Sequence, residues 1–110
     1  MKIETRELKS VSVIKVFGRV DSSTAPDLDS TLKDHLNADR HNLVVDLQET
    51  EYMSSAGLRA LVAALKEAKK RGGNVRIAQP STRVQDVIDL AGLTPVFDIY
   101  PDVVEAVGAF

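Results

Sequence analysis

The 110-residue chain contains no cysteine, and that absence removes disulfides, thiolate metal sites and thiol catalysis together. It also fits a reducing compartment. Histidine is nearly as scarce: His35 and His41 lie six positions apart, which does not place two ligands on one helical face, so no metal centre is expected. No apolar run approaches the roughly 20 residues that cross a bilayer. The start Met1-Lys2-Ile3-Glu4 leads into no signal-peptide core. A cytoplasmic protein without membrane insertion is the expectation. Nucleic-acid binding calls for a broad basic face, whereas 14 basic residues stand against 16 acidic ones and the only basic cluster is Lys69-Lys70-Arg71. Those three cations precede Gly72-Gly73, where they complement the negative end of a helix. No nucleic-acid partner is expected.

Two enzyme classes are also missing their signatures. A serine-hydrolase elbow needs glycine two positions before the nucleophile, where Ser55 has Met53, and neither histidine has a recognisable partner. No Gly-x4-Gly-Lys-Ser/Thr phosphate loop occurs, and Gly72-Gly73-Asn74 reads as a turn. The chain is therefore expected not to be an enzyme and to need no cofactor.

What is present is an ordinary globular balance, 44% apolar and 27% charged, in a length that suits one domain spanning residues 1–110. Ile3 to Leu8 and Val11 to Phe17 read as strands flanking Lys9-Ser10, hence an antiparallel hairpin. Thr24 with Asp27 resembles a capping box, Pro26 suits a first turn, and Leu28, Leu32 and Leu36 form one apolar stripe. Leu43-Val44-Val45-Asp46-Leu47 is a buried central strand, and Gln48-Glu49-Thr50 follows as a loop. Past Ser54-Ser55, residues Leu58, Leu61, Val62 and Leu65 keep helical spacing up to the double glycine. Val75 to Ala78 is a further strand. Ser81 or Thr82 caps a helix carrying Val84, Val87, Ile88 and Ala91. A strand at Val96-Phe97-Asp98-Ile99 and a last helix started by Asp102 complete the chain. The order implies an α/β domain, a central mixed sheet of four to five strands with about four helices packed on it.

The run Tyr52-Met53-Ser54-Ser55-Ala56-Gly57-Leu58-Arg59 between strand and helix resembles the STAS family, and within it the bacterial anti-sigma factor antagonists. So do Gly18-Arg19-Val20-Asp21, Leu43 to Leu47, and Gly92-Leu93 followed by Phe97-Asp98-Ile99-Tyr100, in that order along nearly the whole chain. The resemblance implies a switch. The unphosphorylated antagonist binds an anti-sigma factor that is also a serine kinase, displacing the sigma factor; phosphorylation ends the binding and a PP2C-type phosphatase restores it. The acceptor register, directly before a small residue and glycine, falls on Ser55, with Ser54 as second choice because many members carry aspartate there. Asp21, Ser22, Ser54, Ser55, Ala56, Gly57 and Arg59 are the partner-binding candidates. Gly57 suits either close approach by a partner or a tight helix start against the neighbouring strand. A monomer or weak dimer is expected. The same fold also implies an alternative, a binding subunit of a lipid-transport ABC complex or of a stress-sensing assembly.

Overall fold

The computed structural model describes all 110 residues. The hairpin is present, β1 (Lys2–Glu7) running antiparallel to β2 (Ser12–Val20). Arg40 locks its turn: the guanidinium donates to the carbonyls of Leu8 (2.6 Å), Lys9 (3.1 Å) and Val11 (3.0 Å) and to the buried Ser12 hydroxyl. Then come α1 (Ala25–Asn37), β3 (Asn42–Asp46), β4 (Thr50–Met53), α2 (Ser55–Lys70), β5 (Asn74–Ala78), α3 (Thr82–Leu90), β6 (Ile99–Tyr100) and α4 (Val103–Gly108). The sheet has six strands in the order β1-β2-β3-β5-β6, with β4 beside the far end of β2. Long β2 serves two partners: Ser12 to Lys15 pair with β3, and Gly18 to Val20 pair with β4 across a register shift between Gly18 and Arg19. All pairings except β1–β2 are parallel.

Alternation along the strands sorts residues to two faces. Ile14, Val16, Leu43, Val45, Val75 and Ile77 meet the apolar stripes of α1, α2 and α3 in the main core. Val11, Val13, Val44 and Ala78 point the other way, beneath Ala106 of α4. Each fully buried Leu, Ile or Val contributes about 1.5–3 kcal/mol relative to exposure, so the main face supplies most of the stability.

Four local expectations need correction. The sheet has six strands rather than four to five because β4 and β6 are short elements. Thr50 starts β4 instead of belonging to a loop: it is polar yet 1% exposed, its hydroxyl donating to the Val16 carbonyl at 2.8 Å. Val96 and Phe97 are not strand; their amides bond to the Leu93 carbonyl in a turn that drops Phe97 into the core, and only Ile99–Tyr100 pair with β5. Thr24 sits at the N-cap of α1, but its side chain bonds none of the helix amides, so no Thr24-Asp27 capping box forms.

The other helix ends follow the sequence. Ser81 caps α3 and Asp102 caps α4. At the end of α2, Gly72 adopts φ +82°, and the amides of Gly72 and Gly73 bond back to the carbonyls of Lys69 and Ala68. This Schellman arrangement closes the helix. A side chain on Gly73 would stand 1.9 Å from the His41 carbonyl oxygen, so that glycine lets α2 return directly to the sheet beside β3. Arg71 of the basic cluster donates to the Leu36 carbonyl at the end of α1, a structural use for that charge.

Candidate functional site

The two adjacent hydroxyls have different duties. Ser54 ends the β2–β4 ladder, its amide donating to the Val20 carbonyl at 2.8 Å. Its backbone is extended, φ −83° and ψ 169°, and its Oγ accepts from the Gly57 amide at 3.2 Å, which makes it the N-cap of α2. Ser55 is the first helical residue, exposed, and its hydroxyl has no hydrogen-bond partner. The free groups around it suit an anion: first-turn amides have no intrahelical acceptor, and the dipole end of a 16-residue helix is positive. Ser54 thus performs the capping and leaves Ser55 unengaged.

Gly57 is buried, and its bare Cα faces inward. A Cβ there would lie 2.4 Å from Met53 Sδ and 2.7 Å from Val20 Cγ1. Of the two roles open to it in the sequence, the tight helix start is the one in place. The close approach is between α2 and the ends of β2 and β4, and it fixes the height of Ser55 above the sheet.

Asp21 opens the loop between β2 and α1. Its Oδ1 accepts from the Ser23 hydroxyl (2.7 Å), the Ser23 amide (3.0 Å), the Thr24 amide (3.1 Å) and the Thr24 hydroxyl (3.2 Å). These donors, the Ser23 hydroxyl foremost, hold its carboxyl below the usual carboxylate range. Asp21 therefore shapes the loop that leads into α1, with all of these bonds on one oxygen and none from an amide of the helix itself. Ser22, at the tip, is exposed.

The loop and the helix start come together. Ser22, Ala25, Pro26 and Asp29 share a shallow depression of about 350 Å³ with Ala56, Arg59 and Ala60. Arg59 also borders, with Ser55, a second groove of about 480 Å³ floored by Leu58, Val62, Ala63, Ala91 and Leu93. Ser22, Ser55, Ala56 and Arg59 thus belong to one continuous surface, with Ser54 and Asp21 supporting it. The groove was not foreseen. A signal for it existed: Ser55, Arg59, Val62 and Lys66 recur at helical spacing, a face of α2 distinct from the Leu58-Leu61-Leu65 stripe.

A single α/β domain presenting a free serine at a helix N-terminus is the class these features define. The family model for the STAS domain matches residues 2–106, and the chain belongs to that family. It is 27% identical over 99 residues to the anti-sigma-B factor antagonist of Bacillus subtilis, covering 90% of each chain. To its counterpart from Staphylococcus epidermidis it is 29% identical, covering 90% of this chain and 92% of the relative. The crystal structure of an anti-sigma factor antagonist from Mycobacterium paratuberculosis superposes with a TM-score of 0.89 at 29% identity, over 98% of this chain and 92% of the other. Unphosphorylated SpoIIAA, an anti-sigma factor antagonist, shares the fold with a TM-score of 0.85 at 18% identity, over 96% and 93% of the two chains. No helix is long and apolar enough to cross a membrane.

Proposed function

We propose that the chain is an anti-sigma factor antagonist, a binding switch rather than an enzyme. Unphosphorylated, it engages an anti-sigma factor that is also a serine kinase and so releases a sigma factor; phosphate on Ser55 ends the binding, and a PP2C-type phosphatase restores it. The observation that carries this reading is the division between the two serines. Ser54 is committed to the cap, whereas Ser55 is exposed, unpartnered and set between two depressions that a partner can fill. The named relatives support the partner, and SpoIIAA, a protein of this fold, has also been solved in a phosphorylated form.

The electrostatics are sufficient without refolding. A phosphate brings roughly −1.5 to −2 charges, which the helix N-terminus tolerates. Weakening a complex about a hundredfold needs roughly 2.7 kcal/mol. Two unit charges about 4 Å apart at an effective dielectric near 20 already interact by roughly 4 kcal/mol, so one acidic group on the partner is enough. Arg59 adds a second effect, because it lies one helical turn after Ser55 on the same face. In the free form its cation is offered to the partner; a phosphate at Ser55 draws it into an internal pair. Titration calorimetry against the co-purifying anti-sigma factor tests the proposal. Tight binding of the unmodified chain and a loss of at least about a hundredfold after kinase treatment are expected, whereas equal affinities would reject the switch.

A further inference from the structure

The two faces of the sheet are unequally covered. Three helices occupy one, while on the other α4 packs over β3, β5 and β6 and reaches only the start of β2, at Val11 and Val13. The half above β1, the far end of β2, and β4 carries no element. Because Ile3, Ile14 and Val16 face the main core, Lys2, Glu4 and Arg6 of β1 and Lys15 and Phe17 of β2 lie on this open half. The register pair Arg19 and Tyr52 extends it. Among these residues four cations stand against one carboxylate, Glu4, and three of the four are ordered around rings. The Lys2 and Lys15 ammoniums are each 5.1 Å from the Phe17 centroid, and the Arg19 guanidinium is 4.5 Å from that of Tyr52.

The opposite sign is concentrated elsewhere. From Val84 to Phe110 the chain has five acids, Asp86, Asp89, Asp98, Asp102 and Glu105, and neither lysine nor arginine. On α4, Ala106 is buried and Val103 and Val107 lean on the sheet, so Asp102, Val104 and Glu105 form its outer side, with Val104 81% exposed. An aliphatic centre flanked by acids is thus carried beside an aromatic centre flanked by cations.

We infer that a second copy of this chain occupies the open half-face, in an isologous dimer where α4 of each copy lies on the β1–β2–β4 half of the other. Val104 then covers the Phe17 and Tyr52 rings while Asp102 and Glu105 meet Lys2, Lys15 and Arg19. Two-fold symmetry makes every contact twice and closes the assembly. Each sheet acquires two helices side by side, its own α4 and its partner's, which covers the whole face. An acidic segment of another protein would neutralise the cations and leave the outer side of α4 unmatched; a second copy matches both. The molecule is 30 × 26 × 23 Å, so half of one face supplies less than the about 800 Å² per partner of a standard interface, and the association is weak. The Ser55 surface is on the helix-covered side, so dimerisation stands or falls independently of the switch.

Sedimentation velocity from micromolar to millimolar concentration tests this. The mass should rise from 12.0 kDa toward twice that value and fall back in high salt, which screens exposed pairs. Glu105→Lys and Lys15→Glu, each changing a surface charge, should each raise the dimer dissociation constant by about tenfold, since every contact is lost twice. An equimolar mixture of the two variants should recover the dimer, because reversed charges again face opposite ones. A mass fixed at 12.0 kDa throughout would overturn the proposal, as would self-association that both reversals leave unchanged. Capture of polyglutamate by a chain that never dimerises would overturn it too, assigning the face to an acidic partner.

Discussion

Substituting Gly57→Ala puts a single methyl group where α2 meets the sheet. Its Cβ would stand 2.4 Å from Met53 Sδ and 2.7 Å from Val20 Cγ1, against an optimal separation of about 3.5–4.0 Å. Met53 can yield by turning its flexible thioether, although it is 1% exposed. Val20 cannot, because it is fully buried and β-branched, with a stiff χ1. The helix has to lift by a fraction of an ångström at its first turn. Alanine improves helix propensity by at most about 1 kcal/mol, and overpacking costs about 1–3 kcal/mol, so a net loss of about 1–2 kcal/mol is expected. Urea unfolding should show the midpoint reduced at unchanged slope, and thermal unfolding a Tm lower by about 4–8 °C. A variant as stable as the parent, or more so, would refute the internal role of this glycine and return it to the partner surface.

Other perturbations separate supporting residues from the switch itself. Ser54→Ala removes the α2 cap and should cost about 1 kcal/mol in urea unfolding, whereas Ser55→Ala should stay within about 0.5 kcal/mol of the parent. Arg40→Met strips donors from the hairpin carbonyls and from buried Ser12, and a loss of about 2 kcal/mol in the same assay is expected. Asp21 has a folded-state pKa below that of the unfolded chain, so it contributes stability above the ordinary carboxylate value near 3.9 and loses it as pH falls through the lower native value. Unfolding curves of the parent and Asp21→Asn should therefore differ near neutral pH and converge in acid; a gap that widened on acidification would contradict the assigned direction.

Most elements were legible because each helix carries one apolar stripe and ends in recognisable chemistry, as in the Gly72-Gly73 closure of α2 and the Asp102 cap of α4. The misses share a cause. Thr50 is strand because its hydroxyl finds the Val16 carbonyl, and Val96-Phe97 is turn because the core takes the Phe97 ring; both are tertiary outcomes that local propensity does not contain. At the site, the Ser55 register and the partner-surface candidates come from the resemblance to the family; the structure places Ser22, Ala56 and Arg59 around one depression, which spacing alone does not give. Thr24 has the residue type of a cap, yet its hydroxyl turns back to the Arg19 carbonyl and the Asp21 carboxylate rather than to the helix amides, and Gly57 is as available to a partner as to the core until Val20 and Met53 are placed beside it.

The central claim is that Ser55 alone receives the phosphate. The direct measurement is mass-spectrometric mapping after reaction of the parent, Ser54→Ala and Ser55→Ala chains with the anti-sigma kinase. One phosphate on Ser55 in the parent and in Ser54→Ala, with none on Ser55→Ala, is the predicted result. Phosphate on Ser54, Ser22 or Ser23, or undiminished phosphorylation of Ser55→Ala, would contradict it.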